Sequence, residues 1–138
     1  MSAVRKDFVV VALGDREGNG YDEHTLPILV RVMESSKPDA QLSTHRGVIV
    51  YYLKSPETIA AVSDFISAVE TLRDTDPRFA SLGIGIAHGP LLAEFDWRGQ
   101  VKASFAPMGE IANAASAGVA GPQNYQETLN GLHGTQTV

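Results

Sequence analysis

The sequence predicts one α+β domain built on a largely antiparallel sheet, and three observations predict it. Apolar, β-branched runs alternate with segments whose apolar residues recur at helical spacing. Several runs come in pairs joined by short turn signals, the pattern that makes antiparallel neighbours. The length also fits, since 138 residues with 43% hydrophobic content suffice for one buried core without disulfide or metal staples.

The first strand is Phe8-Val9-Val10-Val11-Ala12-Leu13, ended by Gly14-Asp15. A continuous apolar run of this kind is buried on both faces and belongs at the centre of a sheet. Arg16 to Tyr21, with Gly18 and Gly20, is a loop. Leu26, Leu29, Val30 and Met33 then fall at i, i+3, i+4 and i+7 and predict a helix, with Thr25 as its cap and Pro27 in its first turn. Pro38-Asp39 breaks the chain, and Ala40 to Thr44 and Val48 to Leu53 flank His45-Arg46-Gly47 as a predicted hairpin. Ser55-Pro56-Glu57 supplies cap, first-turn proline and first-turn acid for a second helix. Its apolar stripe is Ile59, Val62, Phe65, Ile66, Val69 and Leu72, and it stops near Asp74-Thr75-Asp76-Pro77.

Leu82, Ile84 and Ile86 alternate with Gly83 and Gly85, Gly89-Pro90 reads as a turn, and Leu91 to Phe95 completes a second hairpin. Asp96 to Gln100 is a surface turn, Val101 to Phe105 a further strand, and Gly109 to Val119 a small-residue helix ended by Gly121-Pro122. The order β-α-β-β-α-β-β and then a helix is a ferredoxin-like antiparallel sheet: a βαββαβ core with both long helices on one face, plus an extra hairpin and helix. Residues 1–122 are expected to form this domain. Residues 123–138, rich in Gln, Asn, Thr and Gly, read as a polar, flexible C-terminal tail.

Composition narrows the function classes. A net charge of −5 with eleven scattered Lys and Arg speaks against nucleic acid as a partner, because a backbone grip needs clustered cations. No apolar run approaches the roughly 20 residues of a membrane span, and no signal core follows the N-terminal basic residues, so no membrane association is expected. The absence of cysteine fits a reducing compartment, and a cytoplasmic location is the expectation. His24, His45, His88 and His133 share no metal-ligand spacing, and neither a metal nor a cofactor is expected. The sequence also holds no Gly-x-Ser-x-Gly nucleophile turn and no Gly-x-x-x-x-Gly-Lys phosphate loop.

Three segments nevertheless carry a likeness. They are Leu13-Gly14-Asp15-Arg16-Glu17-Gly18-Asn19, His45-Arg46-Gly47 with the apolar strand and Ser55-Pro56 that follow, and Leu82-Gly83-Ile84-Gly85-Ile86-Ala87-His88-Gly89 together with Gly109-Glu110-Ile111-Ala112-Asn113. In order and spacing, over about residues 8 to 121, the chain resembles the class III nucleotidyl cyclase catalytic domain, which makes cyclic AMP or cyclic GMP as head-to-tail dimers. The resemblance places Asp15 at a metal-ligand position and Asn113 at the family's asparagine. It also places Arg46 where the second metal aspartate belongs, Leu42 at the purine-reading lysine, and Ala117 at the transition-state arginine.

Those exchanges remove chemistry. Ring closure on a triphosphate depends on cations that bridge phosphate oxygens, normally held by two carboxylates. A guanidinium about 5 Å from a divalent ion costs on the order of 6 kcal/mol at an effective dielectric of about 20, an upper bound because the side chain can swing away. Loss of a transition-state arginine removes roughly 10³- to 10⁵-fold in rate in phosphoryl-transfer enzymes. The resemblance therefore implies a cyclase-like domain without catalytic residues, a pseudoenzyme acting in signalling as a dimerising regulatory or interaction module. Its expected partners are a second copy or a related cyclase-like protein. Residual nucleotide binding is expected at Asp15, Gly18, Arg46 and Asn113, with Arg46 pairing with Asp15 in place of the absent cation. Two alternatives stay open at this point: a divergent but active adenylate or guanylate cyclase, and a ferredoxin-like small-ligand or protein-binding domain whose likeness is only architectural. Plain structural roles are open as well, with Asp15 capping a turn and Asn113 bonding a neighbouring loop.

Overall fold

The computed structural model describes residues 4–44, 46–95, 97–98, 110–120 and 125–134. Within them the chain runs β1 (Val4–Asp15), α1 (Leu26–Ser35), β2 (Ala40–Thr44), β3 (Gly47–Leu53), α2 (Pro56–Thr75), a 3₁₀ turn at Pro77–Phe79, β4 (Leu82–Ala93), α3 (Glu110–Ala120) and α4 (Tyr125–Gly134). The four strands make one sheet in the order β2-β3-β1-β4, every neighbouring pair antiparallel. This is the α+β, ferredoxin-like arrangement that the β-α-β-β-α-β order calls for.

Side chains of β1 alternate between the two faces of the sheet, as the period of two requires. Val9, Val11 and Leu13 join Leu29 and Met33 of α1, the stripe of α2 from Ile59 to Val69, and Phe79 in one cluster. Phe8, Val10 and Ala12 point the other way, where Ala115 of α3 lies over them with Leu91 and Ala93. The residues from Phe8 to Leu13 are at most 2% exposed, so the apolar run is a central strand as its composition predicts. The cap of α2 also forms as read: the Ser55 hydroxyl accepts from Thr58 N at 3.1 Å, with Pro56 in the first turn and Glu57 behind it.

Three expectations are corrected. Gly89-Pro90 does not turn the chain; β4 continues unbroken from Leu82 to Ala93 and pairs with β1 over its whole length, with Pro90 opposite Asp7. Gly89 takes a φ of +151°, and β4 is an outer strand of the described sheet, the place where a residue lacking an N–H is tolerated.

The second correction concerns the C-terminal stretch, expected to be a flexible tail. Tyr125–Gly134 instead forms α4, because Tyr125, Leu129 and Leu132 fall at i, i+4 and i+7 and enter the core of the first face. Burial of each leucine contributes about 2 kcal/mol, which outweighs the polar composition around it. The Tyr125 hydroxyl donates to Glu70 Oε2 at 2.7 Å and accepts from Arg73 Nη2 at 3.3 Å, fixing the helix to α2.

Third, Thr25 stands at the cap position of α1 without a capping hydrogen bond. Asp22 does the work nearby, its Oδ1 accepting from His24 N, Thr25 N and Thr25 Oγ1 at 2.9 to 3.0 Å. The strand expected at Val101 to Phe105 lies outside the described residues.

Candidate functional site

Asp15 is the last residue of β1, opposite Leu82 of β4. The loop after it folds back at once, Gly18 N donating to Asp15 O at 3.0 Å, and Gly18 and Gly20 take positive φ of 81° and 79° that suit glycine. The Asp15 carboxylate organises this loop. Oδ1 accepts from Glu17 N at 3.0 Å and from the Ser81 hydroxyl at 2.8 Å, while Oδ2 accepts from Asn19 N at 3.1 Å. Burial pushes its pKa up, but the donors from Glu17, Ser81, Asn19 and Gly20 together win and hold it below the usual value. A carboxylate offers about four lone-pair positions, so most of this one's capacity is already used.

The other wall of the site depends on glycine at two places. Gly47, at a φ of +150°, opens β3, and a Cβ there would stand 1.9 Å from Leu13 O. Only glycine therefore lets the β2–β3 hairpin close onto β1 at this point, and the closure brings Arg46 beside Gly14. On the opposite side α3 descends onto β4 until a Cβ at Gly85 would stand 1.8 Å from Ala115 O, and one at Gly83 would stand 2.1 Å from Val119 O.

Between hairpin and helix lies a cleft of about 370 Å³. Its floor is Ala12, Gly14 and Ile49, its walls include Leu42 of β2 and Val119 of α3, and its charged rim is Asp15 and Arg46. Asp15, Gly18 and Arg46, three of the residues singled out in the sequence, thus line one cavity. Asn113 does not; it is exposed on α3, one turn before the lining residue Ser116. Leu42 lines the cleft, and Ala117 is exposed on α3 outside the lining.

The walls decide what the cleft favours. A nucleobase edge buried against Leu42 and Ile49 meets no hydrogen-bond partner on their side chains, and each unpaired polar group costs about 1–3 kcal/mol. Apolar surface placed there gains about 25 cal/mol per Å² instead.

A second hollow of about 510 Å³ shares Asp15 and Gly20 and adds Asn19, Tyr21, Asp22, Thr25, Arg78 and Ser81. Its charged groups already have protein partners, Asp15 and Asp22 in hydrogen-bond donors of their own loops and Ser81. Arg78 is held by Asp76, Nη2 to Oδ2 at 2.8 Å and Nε to Oδ1 at 3.1 Å. Burial and then the Asp15 charge push the Tyr21 phenol well above its ordinary pKa, so it is neutral at neutral pH. Among the described residues, no three His, Asp or Glu side chains gather as a metal-binding group.

Sequence reasoning missed Ser81, which is 66 residues from the carboxylate it bonds, and the α3 wall of Ser116 and Val119. The alternation of glycines at 83 and 85 was the available signal for a helix approaching the sheet.

Solved structures similar to this chain in fold include nucleotidyl cyclase domains. The guanylyl cyclase Cya2 superposes with a TM-score of 0.56 at 14% identity, over 85% of this chain and 71% of that one. The adenylyl cyclase CyaB from P. aeruginosa gives 0.52 at 14%, over 84% and 72%. The guanylyl cyclase domain of the RhoGC fusion protein from the aquatic fungus Blastocladiella emersonii gives 0.52 at 12%, over 85% and 77%. No protein-family model matches the sequence, and no curated protein is similar to it. At these identities the likeness is one of fold.

Proposed function

We propose that this chain is a cyclase-like domain that does not cyclise nucleotides and serves as a dimerising regulatory or interaction module, its cleft kept as a ligand site. The observation that carries the reading is the rim of the cleft, where Asp15 offers the one carboxylate among the described lining residues and its own loop and Ser81 already bind that carboxylate. Such a donor set does not fit a pair of divalent cations, since one largely saturated carboxylate beside a cation cannot offset four positive charges. No step through bound metal is therefore derived.

Leu42 in the lining and Ala117 outside it add to this reading, because neither can hydrogen-bond a base or clamp a phosphate. Asn113 faces solvent away from its own cleft, and in a head-to-tail pair, as the resemblance implies, such a residue would serve the partner's cleft. The nucleotide expected from the resemblance would meet Asp15, Gly18 and Arg46 there.

The test is direct. Pure protein incubated with ATP or GTP and Mg²⁺ or Mn²⁺ should give no cyclic product, and light scattering should report twice the chain mass. Cyclic product that disappears in Asp15→Ala would overturn the inactive reading, and a monomer at all concentrations would overturn the dimer. Binding of ATP without metal should weaken in Arg46→Asp; unchanged or tighter binding removes Arg46 as the anion contact.

A further inference from the structure

We infer that Asn19-Gly20, in the loop organised by Asp15, is a self-modification site at which Asn19 converts to aspartate and isoaspartate without an enzyme, adding a carboxylate to that loop. The inference stands apart from the reading of the cleft and needs no ligand.

The chemistry belongs to the dipeptide. An asparagine side-chain amide lies within reach of the backbone nitrogen that follows it, and a glycine there has no Cβ to hinder the approach. The Gly20 nitrogen gives up its proton and bonds to Asn19 Cγ, the Cγ–Nδ2 bond breaks, and ammonia leaves with that proton. A cyclic imide remains. Water then opens the ring: cleavage at Cγ gives aspartate, and cleavage at the backbone carbonyl carbon gives isoaspartate, whose main chain runs through Cβ. One water enters and one ammonia leaves, with no change of oxidation state.

The chain holds this pair twice, at 19–20 and at 130–131, and the fold treats the two differently. Asn19 is exposed and lies outside any helix or strand. Asn130 is exposed as well, but it sits within α4, between Leu129 and Leu132, which enter the core. Attack there requires the backbone to turn out of the helix and to break a bond of the helical ladder, so α4 must open locally first. In the loop, the described hydrogen bonds that such a turn disturbs are those to the Asp15 carboxylate. Asn19 N donates to Oδ2 at 3.1 Å, and Gly20 N–H is a further donor to the same carboxyl. That anion also opposes removal of the Gly20 proton. Asp15 is therefore the latch that sets the rate.

The product acts back on the latch. A carboxylate on Asn19 places a like charge in a loop whose N–H groups hold Asp15, which raises the Asp15 pKa and weakens the loop. Isoaspartate also lengthens the main chain by one carbon between the Asn19 and Gly20 donors, so both cannot keep their places. Asp15 and Gly20 line the cleft and the second hollow alike, and the modification alters the charge of both.

The experiment incubates the pure full chain at mildly alkaline pH and follows both pairs by peptide mass mapping, in which conversion adds about 1 Da. Fragmentation that distinguishes isoaspartate from aspartate identifies the product. In the folded chain Asn19 should convert about tenfold faster than Asn130, and in concentrated urea the two rates should come together. Asp15→Ala should speed conversion at Asn19 about threefold and leave Asn130 as it was; Asp15→Asn, which removes the charge and keeps an acceptor, serves where the first variant does not fold. Asn19→Gln must close a larger ring and should leave position 19 unmodified. Asn19→Asp should raise the Asp15 pKa in a carboxyl NMR titration. Equal rates at the two pairs in the folded chain, or an intact Asn19 after the urea-treated chain has converted, would overturn the site. A rate at Asn19 indifferent to both Asp15 variants would overturn the latch.

Discussion

The two faces of the sheet are filled in opposite ways. On the first, α1, α2 and α4 press large side chains, Leu29, Met33, Phe65, Ile66, Phe79 and Leu132 among them, against Val9, Val11 and Leu13. On the second, α3 lies so close that Gly83 and Gly85 of β4 touch its backbone, and the small residues leave a cleft beside it. Burial of large apolar groups gives the first face most of the hydrophobic stabilisation. The second face buries fewer large groups, Phe8, Tyr51 and Leu91 among them, and gains a cavity. Stability and binding are therefore divided between the two sides of a single strand, β1.

The largest effect that tests this division belongs to the first face. Phe65→Ala removes a ring that is 3% exposed, and should cost about 3–5 kcal/mol in urea unfolding with the m-value unchanged. A loss under about 1 kcal/mol would break the comparison, because the helices would not then depend on close packing there. Gly85→Ala is the counterpart on the second face. Its methyl would meet the Ala115 carbonyl, which is backbone and cannot swing aside, so α3 must move. A loss of about 1–3 kcal/mol is expected, with amide shifts along α3. Full stability with an undisplaced α3 would show that the close approach is not what shapes the cleft.

Much of the first face was legible in the sequence, and the reason is periodicity. Phe8 to Leu13 announces a doubly buried strand, and Ser55-Pro56-Glu57 followed by the Ile59 to Leu72 stripe announces α2, since local chemistry alone settles both. Gly89-Pro90 misled because its turn chemistry is equally at home in an outer strand. α4 was obscured by the Gln, Asn and Thr around it, although Tyr125, Leu129 and Leu132 carry a readable helical spacing. Of the candidate site, Asp15, Gly18 and Arg46 came from the resemblance to the cyclase family, and the three line one cleft. Ser81 could not be found, because only the docking of distant elements brings it there, and the α3 wall was signalled only indirectly, by Gly83 and Gly85.

The Asp15 loop sits where the two faces meet, and acid should open it. Its carboxyl is held below the ordinary value near 4, so the folded loop keeps a charge that the unfolded chain protonates more readily. The contribution is fully present above about pH 4 and is lost as pH falls through the folded value. Asp15→Asn should flatten the acid limb of the stability curve and leave the neutral region with a modest constant loss, as the amide retains one acceptor. An unchanged acid limb would mean that the loop is held by something other than this carboxylate.

The smallest effect uses two neighbours on β3 that point to opposite faces. Tyr52, 1% exposed on the first face, shares a 2.5 Å hydrogen bond with the Ser36 hydroxyl. Tyr51, fully buried on the second, has a hydroxyl with no partner among the described residues. Tyr52→Phe should therefore cost about 1 kcal/mol, whereas Tyr51→Phe should be neutral or stabilising by up to about 1 kcal/mol, because it removes a desolvated hydroxyl that nothing compensates. Alkaline titration sharpens the contrast. Burial raises both phenols, Tyr52 to about 12 even though the Ser36 bond lowers it in part. Each contribution is intact below about pH 10, where unfolded tyrosine begins to ionise, and is lost as pH rises through the folded value. Either substitution should reduce the alkaline loss of stability, while at neutral pH the two should differ in sign. Equal losses at neutral pH would mean that Tyr51 has a hydrogen-bond partner after all, and the contrast between these two neighbours would then disappear.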